Sequence, residues 1–449
     1  MKKVLFITVA LVLVLSIALV GCTGGGPVAP TSVKVGVARD LDGPLAPFEC
    51  GYGGAVYRWF ANKVNAAGGI ALSDYSATVP LELIVRDFDV ITWDIGAVTE
   101  GLLDTDKVDF VWGGPGTDCI FTQAPICNAA AKVLITLEGG ASSMIWDGNI
   151  DTWPYVWVTL SFANWNQIPV LHDMLEAQPE ISGRNATAYI TGIGELGATH
   201  GIEYTKETKD VFGEANVIDA GLHPYSLTAE QAATIILDAE ATYNATPYDI
   251  FCAYTYPWNV ATLTVAIMAS NFNPPAILFG PGGNANTYPF YFGPNAQGVM
   301  SFIVADNHTS TAISELYGEL AAQVELDWGN STLKCAKGDF TSGWQSLDYW
   351  GMPCYAAGLQ LWEDAVVQAG NINSPEVRDV LASLNTTTVL GNKTWFDVFG
   401  GGLGGGILSF NCHPAEIGQW QSGDYRSVGG IAPTASVIYP MTDSWFWLD

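Results

Sequence analysis

The sequence predicts an α/β protein built on parallel sheets. Three observations carry this: apolar stretches of strand length alternate with stretches of helical period, the joins are short and rich in glycine, and the alternation runs along most of the chain. With 449 residues and 47.9 kDa, the chain exceeds one ordinary domain and suits two or three. Hydrophobic residues at 49% and aromatics at 12% supply ample core and exclude wholesale disorder.

At the amino end, Lys2 and Lys3 precede an apolar run from Val4 to Val20, broken only by Thr8 and Ser16. Leu19-Val20-Gly21-Cys22 then sets small residues directly before a cysteine. This is the pattern of a bacterial lipoprotein signal over residues 1–22, with Cys22 as the lipidated residue. The other reading is a transmembrane anchor, for which the run is at the short limit. Residues 23–32 (TGGGPVAPTS) form a flexible linker between lipid and body.

Val33 to Val37 alternates as a strand should. Val56, Trp59, Phe60 and Val64 recur at helical spacing, and Gly68-Gly69 stops that helix. Strands follow at Leu81 to Val85 and at Val108 to Trp112, the latter running into Gly113-Gly114-Pro115-Gly116, then a helix and a strand at Lys132 to Thr136. Further on, Thr187 to Ile190 reads as a strand and Thr199 to Phe212 as a helix. Thr228-Ala229-Glu230-Gln231 is a capping box. Tyr248 to Tyr254 and Ala276 to Phe279 are strand-like. Ser374-Pro375-Glu376 reads as an N-cap with proline in the first turn, opening a helix through Leu384. Gly400 to Gly406 is a flexible turn, and the last forty residues are β-rich.

Charge narrows the function. Seventeen Lys+Arg face forty-five Asp+Glu, a net charge of −28, and loss of Lys2 and Lys3 with the signal would make it 15 − 45 = −30. Nucleic-acid binding needs a basic face, and the chain has little from which to build one. With Cys22 lipidated, seven cysteines remain, an odd count that leaves one unpaired. Cys335 and Cys354 bracket one short segment and are the expected bridge. Cys119 and Cys127 lie eight apart on one helix, too far to join. No CxxC pair supports a zinc site. Gly192 to Gly197 matches GxGxxG after a strand, a weak sign of a dinucleotide site. The five histidines are dispersed and no GxSxG elbow exists, so no catalytic set assembles.

Val33 to Ile70 (VKVGVARDLDGPLAPFECGYGGAVYRWFANKVNAAGGI) resembles the opening of the leucine/isoleucine/valine-binding proteins of ABC importers: a first strand, a Gly-Pro-Leu-Ala loop, a helix and an Asn-Ala-Ala-Gly-Gly-Ile end. The resemblance continues in Leu81 to Asp87, Val108 to Pro115, Ser374 to Gly391 and Gly418 to Gly423, and weakens around 140–180 and 310–345.

The resemblance implies a type I periplasmic-binding fold, two doubly wound parallel-sheet lobes joined by three hinge crossings. Lobe one would comprise 33–158 and 303–404, and lobe two 159–302 and 405–449. Ligands of open parallel sheets bind beyond the strands' carboxyl ends, which agrees with a cleft between lobes. The expected function is a lipid-anchored extracytoplasmic solute-binding protein. It would deliver an amino acid or a related amide or carboxylate to ABC permease subunits with their cytoplasmic ATPases. The alternative is a sensor that passes a signal to a membrane receptor. The resemblance implies a monomer, no enzyme activity and no cofactor.

Site residues follow from the same resemblance. Phe48 matches an aromatic packed on the ligand side chain, and Thr117 a hydroxyl residue that holds the ligand carboxylate with backbone N–H groups. Glu138, Gly139 and Gly140 fall where the family grips carboxylate and ammonium. Tyr254 and Tyr256 match a tyrosine of the second lobe, and Trp350 an aromatic on a returning segment. One departure stands out. The family usually places an acid for the ammonium in a Gly-Pro-Glu-Gly loop, and here that position is Gly282. Either Glu138 supplies the charge or the ligand is not an α-amino acid.

Overall fold

The structure is a computed structural model, and it describes residues 27–43, 45–137, 153–160, 167–224, 226–255, 257–280, 282–330, 333, 337, 340–396, 407–408, 416–430 and 433–441. Cys22 and the Gly400 to Gly406 turn lie outside the described residues.

Lobe one starts with β1 (Val33–Arg39), α1 (Ala46–Cys50) and α2 (Tyr52–Ala66), then a small hairpin of β2 (Ile70–Leu72) and β3 (Ala77–Val79). It continues through β4 (Leu81–Asp87), α3 (Ile95–Asp104), β5 (Phe110–Trp112), α4 (Thr117–Ala129), β6 (Leu134–Ile135) and β7 (Val156–Trp157). The strands form one parallel sheet in the order β4-β1-β5-β6-β7, with Val35 opposite both Leu83 and Phe110. Nearly every residue of β1 is buried because helices cover both faces of the sheet, as parallel sheets require. The apolar stripe of α2 is buried as its spacing predicts, and the chain leaves that helix through Gly68 and Gly69 at φ +108° and +103°.

Lobe two holds α5 (Ile168–Glu176), β8 (Ala188–Ile193), α6 (Gly194–Phe212), β9 (Val217–His223), α7 (Ala229–Ala245), β10 (Ile250–Tyr254), α8 (Pro257–Met268), β11 (Ile277–Gly280), α9 (Thr287–Phe292) and β12 (Met300–Ile303). Strands β9-β8-β10-β11-β12 are parallel. The chain then leaves for α10 (Thr311–Asp327), α11 (Gly351–Ala369) and α12 (Ser374–Leu381), and both α10 and α11 pack on α2 of lobe one. Trp362 of α11 meets Trp112 edge-on at 5.1 Å, sealing α11 to the first sheet. After β13 (Asn385–Thr388), β14 (Gly391–Phe396) and β15 (Ile407–Leu408), the chain returns to add the antiparallel hairpin β16 (Glu416–Gln421) and β17 (Asp424–Gly429) beside β12. The two returning segments lie side by side, with Val304 N donating to Tyr349 O at 3.1 Å.

Several local expectations meet their geometry here. The Thr228 capping box is formed in both directions, Gln231 N to Thr228 Oγ1 at 3.2 Å and Thr228 N to Gln231 Oε1 at 2.9 Å. Helix α12 is capped by Asn373 rather than Ser374 and ends at Leu381 rather than Leu384. Ser374 is spent elsewhere, its hydroxyl donating to Asp109 O at 3.0 Å to tie the helix to lobe one. The GxGxxG stretch forms no glycine loop. Strand β8 ends at Ile193 and α6 begins at Gly194, earlier than Thr199, so no turn is left to cradle a pyrophosphate.

The expected Cys335–Cys354 bridge is overturned. Cys354 is a buried thiol that donates to Trp350 O at 3.1 Å, held in the first turns of α11. Cys119, Cys127 and Cys252 are also thiols, whereas Cys50 is disulfide-bonded to a partner outside the described residues. Among the described residues no helix is long and apolar enough to cross a membrane.

Candidate functional site

The carboxyl ends of β1, β10 and β11 meet where the lobes join, as the strand order of two parallel sheets dictates. The turn after β1 is built first. Asp40 accepts from Gly43 N at 2.6 Å and Leu45 N at 2.7 Å, folding the chain into α1. Glu49, fully buried on α1, then takes a bond from Arg39 Nε at 2.6 Å and further bonds from Tyr57 and Arg58. Burial pushes the Tyr57 phenol up, and the Glu49 charge adds to this, so Tyr57 donates as a neutral hydroxyl. Arg58 reaches on to Asp327 at the end of α10, Nε to Oδ2 at 2.8 Å, and Asp327 also accepts from Gln323 at 2.9 Å. One buried charge cluster thus clamps α1, α2 and α10 together.

Above that clamp lies a pocket of about 480 Å³. Lobe one supplies Cys50, Gly51 and Tyr52, and lobe two supplies Pro257, Trp258 and Gly282. The segment beyond β11 adds Tyr288 and Phe292, and the stretch after α10 adds Trp328 and Phe340. Trp258 leans across the junction onto the lobe-one cluster of Ala38, Leu45 and Ile95. Trp328 and Phe340 stack nearly parallel, 15° apart with centroids at 6.4 Å.

Gly282 has a physical reason to be glycine. Its φ is +145°, and a Cβ there would lie 2.9 Å from Pro257 N and 3.1 Å from the Pro257 Cα. Backbone cannot yield as a side chain can, so the pocket wall excludes an acid at this position.

The expected site residues are distributed unevenly. Thr117 is the first residue of α4 and is buried beyond the end of β5. Phe48 lies on α1, two residues before Cys50 in the pocket wall. Trp350 is buried at the start of α11, its indole Nε1 without a hydrogen-bond partner. Beside it, Asp348 Oδ1 accepts from Trp350 N and Gly351 N, while Oδ2 is buried and unpartnered. Tyr254 points the other way. Its ring stacks on Tyr204 at 4.6 Å and its hydroxyl bonds Thr208 at 3.0 Å, inside the core between the second sheet and α6. Glu138, Gly139, Gly140 and Tyr256 lie outside the described residues. Sequence reasoning passed over Trp258, Trp328 and Phe340. Trp258 follows a predicted strand directly, a position that could have flagged it. The other two sit in the stretch where the resemblance is weakest.

A family model described as "Periplasmic binding protein" matches residues 32–404. The chain belongs to that family. Solved structures of its members share the fold across nearly their whole length. A branched-chain amino acid transporter substrate-binding protein from Streptococcus pneumoniae, in complex with isoleucine, is 14% identical, with 91% of this chain and 100% of that one covered at a TM-score of 0.61. A leucine-binding protein from Thermotoga maritima is 13% identical over 89% and 99% of the two chains at 0.64. A solute-binding protein from Rhodopseudomonas palustris, in complex with p-hydroxybenzoic acid, is 13% identical over 91% and 98% at 0.66. No curated protein sequence matches. The chain is therefore a solute-binding protein of the ABC-transporter type with the type I two-lobed fold, and its relatives are binding proteins rather than enzymes.

Proposed function

We propose that this chain is an extracytoplasmic solute-binding protein, anchored by lipid at Cys22, that captures a small ligand between its lobes and hands it to an ABC permease. The observation that supports this most is the pocket walled jointly by Cys50 to Tyr52 of lobe one and by Trp258 and Gly282 of lobe two. A ligand touching both lobes favours their closed arrangement, and closure is a signal a membrane partner can read. Thr117 and Phe48 flank the same junction and belong to the proposed site, as does Glu138. The solved relatives are named for amino acids and benzoates, which sets the size of ligand to screen.

Thermal-shift screening of the mature protein against such compounds should find a ligand that raises its melting point, because binding to the native state alone stabilises by RT ln(1 + [L]/Kd), about 2.7 kcal/mol at a hundredfold excess over Kd. Scattering with that ligand should show a more compact particle, and identical envelopes at saturation would sink the clamshell reading. For the anchor, Cys22→Ser should release the protein from membranes or leave its signal uncleaved. An unchanged membrane fraction would reject lipidation.

A further inference from the structure

We propose that the pocket between the lobes takes an uncharged planar aromatic molecule rather than a zwitterionic amino acid, a specificity that rests on the solute-binding reading above. Four observations converge on it.

The first is the wall itself. Among the described residues that line the pocket there is no Lys, Arg, His, Asp or Glu. A desolvated ammonium or carboxylate would have no ion there to pair with, and burying an unpaired charge is costly. The second is Gly282. Pro257 packs against it so closely that the wall has no room for an acid, so the usual ammonium partner cannot be restored by a single substitution. The third is shape. Trp328 and Phe340 lie 15° from parallel, and Trp258 and Tyr291 complete an aromatic enclosure around them. Near-parallel rings make a slot for a flat molecule, with offset stacking as the contact. Hydroxyls are the polar groups the wall does offer, from Thr287 and Ser346.

The fourth observation concerns both signs of charge. The Lys337 ammonium sits 5.8 Å from the centroid of the Trp328 ring, so a second cation stacked on that indole would meet repulsion. An anion would have to approach a chain whose net charge is −28. The neutral planar class avoids both penalties.

The test uses the mature protein and four probes of similar size: para-hydroxybenzamide (neutral), para-hydroxybenzoate (anion), tyramine (cation) and leucine (zwitterion). Calorimetry should rank para-hydroxybenzamide at least about tenfold tighter than the other three, a gap well below the cost of an unpaired buried charge. Phe340→Leu keeps the apolar bulk and removes the ring face, so it should weaken that probe by about three- to tenfold. Trp258→Phe keeps a ring and should leave affinity within about threefold. Tighter binding of the benzoate, tyramine or leucine overturns the proposal and leaves the solute-binding reading intact. No binding of the amide also overturns it. The broader reading is then judged separately, by whether a small-molecule extract of the source cells compacts the protein in scattering. Compaction keeps that reading, and its absence removes it.

Discussion

Replacing Glu49 by Gln is expected to destabilise the protein by about 3–5 kcal/mol, the usual cost of stripping one partner from a buried ion cluster. The side chains of Arg39 and Glu49 are both 0% exposed, and Nε lies 2.6 Å from Oε2. Arg58, 12% exposed, bonds the same carboxylate and bridges it to Asp327. A glutamine at 49 keeps the shape of the acid and loses its charge, leaving the guanidiniums of Arg39 and Arg58 short of an anion in the interior. The loss would thus report uncompensated charge rather than the net worth of the bonds. Function should suffer too, because Glu49 adjoins Cys50 and Asp327 adjoins Trp328, and both neighbours line the pocket. Urea unfolding checks the first expectation and a ligand titration the second. A change in stability below about 0.5 kcal/mol, the range of an ordinary surface substitution, would mean the cluster is not under charge stress.

The second large effect is on pH. Burial raises the Asp348 carboxyl to about 6, against opposing N–H bonds from Gly351, Trp350 and Met352. Burial raises Glu416 to about 7, and the nearby Asp306 charge pushes the same way. Both residues are almost wholly buried, and Asp348 Oδ2 and Glu416 Oε2 have no hydrogen-bond partner. In each case the folded state holds a proton that the unfolded chain has already released. Their contribution is therefore fully present below the unfolded values of 3.8 and 4.5, and is lost as pH rises through about 6 and about 7. Each shift corresponds to about 2–3 kcal/mol at neutral pH. Asp249 slopes the other way: burial raises it, but Arg184 and Thr187 hold it below the ordinary carboxylate range, so its share disappears in strong acid. The melting point should accordingly peak near about pH 5 and fall toward about pH 8. Asp348→Asn and Glu416→Gln should each flatten the alkaline limb while leaving the acid limb in place. A curve that rises from about pH 5 to pH 8 would reject the assignment of both protons.

Glu416 opens β16, and Asp348 precedes α11 by three residues, beside the crossing at Val304. The strained acids of this protein therefore sit where the chain passes between lobes. Nothing local marks them. Asp348 follows Leu347 in an ordinary polar-apolar stretch, and Glu416 stands at the head of a strand whose alternation alone would put it on either face.

The sequence by itself determined the order of the elements. The stripe of Val56, Trp59, Phe60 and Val64 made α2, the apolar run at Val33 made β1, and Thr228 with Gln231 capped α7. Those signals are local, since a helix or strand face repeats within a few residues and shows itself in a short window. The family resemblance was legible for the same reason, as it rests on the succession of such segments. Only the tertiary structure decided the site. Phe340 reaches the pocket from far along the chain to meet Tyr52, and Trp328 joins it because Asp327 is drawn to Arg58. Tyr254 illustrates the converse. It ends a strand at the cleft side, yet its ring turns to Tyr204 and the core, because successive residues of a strand face opposite sides of the sheet and one position decides between ligand and interior. The expected Cys335–Cys354 bridge failed on similar grounds: closeness in sequence does not bring two sulfurs together, and Cys354 was already committed to Trp350 O on the inner side of α11.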